Sequence, residues 1–239
     1  MLLESMNEKE ITAQLQQEYR KILDTTLPRI SHEYEKERKK LKIDKTRTYH
    51  KEYCIKTAGK NSWMIFVGKQ PSVPKFKDAY STYQVCCTYY HTKKGLQIFV
   101  PEPTQTLLMV YYGHFFKRYN ERLHLNLPDT LAAVKHYFKN NIYLHADIWA
   151  EKEHIYAVAI TKYGLMLGNV MYENKWVLWK TFVSRDLLRK DQDEMEIELI
   201  TQLQAQIAEK LEKNEPYDKM KLQNTMSILY ALTDKNIVE

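Results

Sequence analysis

The stretch Leu107-Leu108-Met109-Val110-Tyr111-Tyr112-Gly113-His114-Phe115-Phe116-Lys117-Arg118-Tyr119-Asn120-Glu121-Arg122-Leu123 changes its period at Gly113. Before the glycine, an unbroken apolar and aromatic run reads as a buried strand. After it, Phe115, Phe116, Tyr119 and Leu123 recur on one side of a helix. His114, Arg118 and Arg122 follow each other at four-residue spacing, so they form a polar stripe beside that apolar side. A strand that feeds straight into an amphipathic helix places the chain among folds that pack helices on a sheet. The stripe offers one proton-transfer group and two permanent positive charges, the set that phosphodiester cleavage needs for deprotonating an attacking oxygen and holding the phosphate.

Upstream, residues 46–110 alternate with a period near two. The segments 48–55, 63–67, 83–90 and 96–100 are rich in β-branched and aromatic residues and read as strands. Lys93-Lys94-Gly95 joins the last two as a hairpin turn. Downstream, Pro128-Asp129-Thr130 opens a second helix through Leu131, Val134, Tyr137 and Phe138. Strands are then expected at 142–145, 155–160, 165–171 and 176–183, with connections short enough to require antiparallel pairing. The expected fold is α+β: a mainly antiparallel core at 47–183, a helical N-terminal extension at 1–46 and a C-terminal helical hairpin at 184–239. Pro28 divides the N-terminal extension into a helical hairpin, and Ser184 or Asp186 starts the C-terminal helices.

Composition narrows the function classes. A chain of 239 residues with 44% hydrophobic content can bury a sizeable core, which excludes a disordered chain. The N-terminus lacks a basic and apolar leader, and no apolar run reaches membrane-spanning length, so a cytoplasmic protein with no membrane association is expected. The three cysteines cannot build a disulfide framework. Adjacent Cys86 and Cys87 should point to opposite sheet faces as reduced core thiols. No Cys-x-x-Cys or paired-His spacing completes a metal site, and His114, Glu121 and His124 do not share one helical face. The chain is therefore expected to need no metal and no cofactor.

Charge is uneven: residues 61–127 carry 8 Lys and Arg against 3 Asp and Glu, a local surplus that suits a polyanion. Lys75 and Lys77 flank Phe76 in a Pro-containing loop, and Lys117 lies beside the histidine stripe. These three lysines are the expected RNA contacts.

The order of strand, His114-x-x-x-Arg118-x-x-x-Arg122 helix, second helix and β-meander ending in Lys180-Thr181-Phe182-Val183 resembles the metal-independent toxin ribonucleases of the RelE/barnase-like class. The resemblance spans about residues 107–185. It implies that His114, Arg118, Arg122 and Thr181 converge, with Thr181 supplying a hydroxyl from a late strand and Glu121 as a reserve base. The corresponding reaction is attack of an RNA 2′-hydroxyl on its neighbouring phosphorus. A second function stands beside this one: a non-catalytic scaffold that binds protein or nucleic acid through its aromatic sheet, with the C-terminal helices meeting a second copy or a protein inhibitor.

Overall fold

The computed structural model describes residues 2–41, 49–70, 81–93, 95–102, 108–140, 145–151, 154–161, 163–171, 173 and 175–188. Among the described residues, nine strands join in a single sheet: β1 (Tyr49–Lys56), β2 (Ser62–Gln70), β3 (Ser81–Thr92), β4 (Gly95–Pro101), β5 (Leu108–Tyr112), β6 (His145–Glu151), β7 (His154–Thr161), β8 (Gly164–Met171) and β9 (Trp176–Ser184). Their order is β1-β2-β3-β4-β5-β9-β8-β7-β6. Two antiparallel meanders lie side by side, and the only parallel pairing among the described strands joins them, β5 to β9. That pairing needs a long crossover. It contains α3 (Gly113–Arg122), α4 (Thr130–Asn140) and the second meander itself. The fold is α+β with a mainly antiparallel sheet, as the change of period indicates.

Alternation along the strands divides the apolar residues between two cores. On one face Met64, Phe66, Cys87, Ile98, Tyr111, Trp179 and Phe182 pack under α3 and α4. On the other, Trp63, Ile65, Val67, Cys86, Phe99, Val110 and Leu178 pack with the N-terminal helices. Cys86 and Cys87 thus do point to opposite faces. Strand β9 carries a bulge: Leu167 pairs with Thr181 and Gly168 with Trp179, leaving Lys180 as the extra residue. The backbones approach closely here, and a Cβ on Gly168 would lie 2.3 Å from the Leu178 carbonyl oxygen.

The N-terminal segment departs from the expected hairpin. α1 (Glu8–Lys21) continues through a π-helical turn, Ile22–Thr26, into α2 (Leu27–Lys40) without a reversal, and Ile22, Thr26 and Leu27 all keep helical dihedrals. A proline ring inside an α-helix collides with the carbonyl four residues back, here that of Asp24. The wider turn, in which the Leu27 N–H reaches the Ile22 carbonyl, lets the helix pass Pro28. Asn7 and Glu10 close the start of α1 as a reciprocal capping box. A buried Glu18 anchors α1 to the sheet, accepting from Thr57 Oγ1 at 2.7 Å, Asn61 Nδ2 at 2.8 Å and Trp63 Nε1 at 2.8 Å.

Two further expectations are corrected. Strand β6 occupies His145–Glu151, whereas the sequence points to 142–145. Its Ala146, Asp147 and Ala150 are poor strand formers, and pairing with β7 along the whole segment imposes the extended state. No long helix starts at Ser184 or Asp186: a 3-10 turn spans Arg185–Leu187 and Leu188 is extended. The remaining C-terminal residues, with the helices and contacts expected of them, lie outside the described residues. Among those described, no helix is long and apolar enough to cross a membrane.

Candidate functional site

Two members of the α3 stripe, His114 and Arg118, lie exposed as the spacing requires, whereas the third, Arg122, does not. Phe115, Phe116 and Tyr119 are fully buried beneath the helix, among Tyr111, Tyr137, Phe138 and Phe182. His114, Lys117, Arg118 and Glu121 are exposed on its outer side, and Arg122 is half-buried. The helix is held firmly at both ends. Tyr112 is extended and Gly113 begins the helix at once, with so little room that a Cβ on Gly113 would sit 3.2 Å from the Leu96 carbonyl oxygen. At the other end Asn120 staples the loop to α4, its Nδ2 donating to the Leu127 carbonyl at 3.1 Å and its Oδ1 accepting from the Leu127 N–H at 3.0 Å. Asp129 then caps α4 through the Ala132 N–H.

The outer side is cationic and wet. Arg118 meets Glu121 at 3.2 Å and Lys117 reaches the same carboxylate at 4.0 Å, with the lysine side chain 74% and the arginine 57% exposed. Pairs this exposed are worth on the order of 0.2–1 kcal/mol, so a phosphate can displace Glu121 at little cost. Glu121, expected as a reserve base, is thus shared between two cations. His114 lies parallel on the ring of Tyr112, with centroids 5.8 Å apart and planes 13° apart. Burial, and then the nearby Glu8 carboxylate, raise the Tyr112 phenol above its ordinary range.

The four residues of the expected catalytic group do not converge. Arg122 turns inward and donates to the Phe182 backbone carbonyl, which makes it a tie between α3 and β9. Phe182 stacks edge-on against Phe115 and Tyr119 of α3, so its neighbour Thr181 points to the opposite face of the sheet. The Lys180 bulge causes this: without it, Thr181 would share the face of Val177 and Trp179. Lys75 and Lys77 lie outside the described residues. Tyr112, absent from the expected site, is the residue that touches His114. Its signal was available, because one of the adjacent pair Tyr111-Tyr112 had to face away from the α3 core.

No protein-family model, no curated protein and no solved structure matches this chain.

Other polar clusters are structural in character. Glu52 on β1 is clamped by Lys135 at 2.6 Å and Lys139 at 3.1 Å from α4. Beside it a cleft of about 340 Å³ is lined by Cys54, Met64, Tyr89, Leu131 and Lys135, among others. Burial, and then the Glu52 charge, raise the Cys54 thiol, the wrong direction for a nucleophile. A second cleft of about 360 Å³ lies between the π-helical turn and residues 55–59. Neither cleft contains a residue of α3. Among the described residues no group of three His, Cys, Asp or Glu side chains is placed to hold a metal ion.

Proposed function

We propose that the protein binds RNA along the outer side of α3, with Lys117 and Arg118 as the phosphate contacts. The observation that carries this reading is the exposure of both cations on one rigidly held helix face, where they share the Glu121 carboxylate. Arg supplies a planar fork for two phosphate oxygens, and Lys supplies a mobile point charge. The test is fluorescence anisotropy of a labelled RNA oligonucleotide over a salt series. Two phosphate contacts on a single strand give a contribution of about −1.4 to the slope of log affinity against log salt. Lys117→Ala with Arg118→Ala should remove that contribution and weaken binding at low salt. An unchanged slope in the double variant, or absence of binding by the wild type at low salt, refutes the reading.

Cleavage of the bound RNA is a second reading, favoured by the position of His114 one helical turn from Arg118 on the same exposed side. In that reaction His114 takes the proton of the 2′-hydroxyl and the 2′-oxygen bonds to phosphorus. The bond from phosphorus to the 5′-oxygen breaks, that oxygen takes a proton from water, and the products are a cyclic phosphate and a new 5′-hydroxyl end. Arg118 neutralises the phosphate oxygens. Arg122 and Thr181 have no part in this version, because one is held at the Phe182 carbonyl and the other faces away. Cyclic phosphate ends formed by wild type and absent with His114→Ala support it; equal cleavage by both removes His114 from the chemistry.

A further inference from the structure

We infer that the cleft between the π-helical turn and residues 55–59 is a binding site for a sugar phosphate. The site goes beyond the RNA reading, since no residue of α3 lines it. Its volume, about 360 Å³, lies at the small end of the roughly 300–1,000 Å³ typical of ligand clefts, which suits a compact molecule. One wall is the helix face that carries Gln14, Lys21 and Thr25, and the other is the end of β1 with Lys56 and the adjoining Thr57. π-Helical turns recur at functional sites, and the turn here, Ile22–Thr26, forms part of the helical wall.

The two walls are locked to each other. Glu18, a buried lining residue, accepts from Gln14 of its own helix and from Thr57 of the opposite wall. Gly59 lies so close to that carboxylate that a Cβ would sit 2.1 Å from its Oε1. The polar groups around the cleft divide by role. Lys21 and Lys56, one on each wall, are both exposed and bring two positive charges to one cleft, which suits a phosphate. Glu18 repels such an anion, so the phosphate belongs at the lysine-bearing rim and the uncharged body of the ligand lies deeper. Gln14 and Thr57 donate to Glu18, and Thr25 donates its hydroxyl proton to the Lys21 carbonyl at 2.6 Å, which leaves three side-chain oxygens to accept. Acceptors in that number call for a ligand rich in hydroxyl donors. Ile22 and Ile55 add an apolar patch for the C–H face of a sugar ring. No aromatic ring is among the described lining residues, so nothing there stacks on a nucleobase.

Phosphorus NMR titrations with ribose 5-phosphate, glucose 6-phosphate and inorganic phosphate test the site. At least one sugar phosphate should bind with a Kd of about 1 mM or tighter, and about 10-fold more tightly than inorganic phosphate. Lys21→Met with Lys56→Met should weaken that binding about 10-fold or more and leave the melting temperature unchanged, because both side chains are exposed. Gln14→Ala with Thr25→Ala should narrow the preference over inorganic phosphate, which a purely electrostatic patch would leave as it was. Failure of both sugar phosphates to bind, or inorganic phosphate binding as tightly as they do, overturns the site, and so does binding that survives loss of the two lysines. Each of these results leaves the RNA reading standing, because its cations lie on a different helix.

Discussion

Replacing Glu18 by Ala should destabilise the fold by about 4 kcal/mol, although the side chain is remote from α3. The carboxylate is 7% exposed and receives four hydrogen bonds, from Thr57, Asn61, Trp63 and, at 3.2 Å, Gln14. Truncation strands the donors unequally. Thr57 and Gln14 are near the surface and regain water, whereas the Trp63 indole is fully buried and Asn61 is 5% exposed. Each of those two donors loses a charged acceptor and stays dry, at about 1–3 kcal/mol apiece, so the pair accounts for about 2–6 kcal/mol. Against this stand the relieved desolvation of the carboxylate and a few tenths of a kcal/mol of helix propensity. Equilibrium urea unfolding followed by tryptophan fluorescence measures the difference, with Gln14→Ala, expected to cost less than about 1 kcal/mol, as the control. A loss below about 1 kcal/mol for Glu18→Ala would refute the reasoning, since burying the charge would then cancel its bonds.

Phe116→Ala should cost about 3–5 kcal/mol in the same unfolding assay, because the ring is fully buried among Tyr111, Tyr137 and Phe138; a loss under about 1 kcal/mol would place it outside the core. For Glu52, burial pushes the carboxyl up, but hydrogen bonds and charge from Lys135 and Lys139 outweigh it and hold the carboxyl below its ordinary range. A lowered folded value means that the clamp stabilises above the unfolded value of about 4.3 and that this stability is lost as pH falls through the folded value. Wild type should exceed Glu52→Gln by on the order of 1 kcal/mol near neutral pH, the difference should shrink as pH falls below the unfolded value, and a difference independent of pH contradicts the clamp.

The sequence by itself determined what depends on near neighbours. The strand and helix around Gly113, the burial of Phe115, Phe116 and Tyr119, the exposure of His114 and Arg118 on α3 and the opposite faces of Cys86 and Cys87 all follow from period, because a side chain's direction is set within a few residues of backbone. Tertiary structure decided what depends on counting across a distortion or on a distant partner. Thr181 would face α3 by simple alternation from Trp179, yet the extra residue at Lys180 reverses the parity, and nothing in Trp179-Lys180-Thr181-Phe182 marks the bulge. Pro28 reads as a break, but a helix packed against the sheet along both halves gains more by widening one turn than by reversing. Strand β6 exists through its pairing with β7, and the diversion of Arg122 to the Phe182 carbonyl required β9 to lie under α3. Which charged residues share a helix face is a local property. Which of them reach a common point in space depends on registers set by hydrogen bonds between segments far apart in the chain.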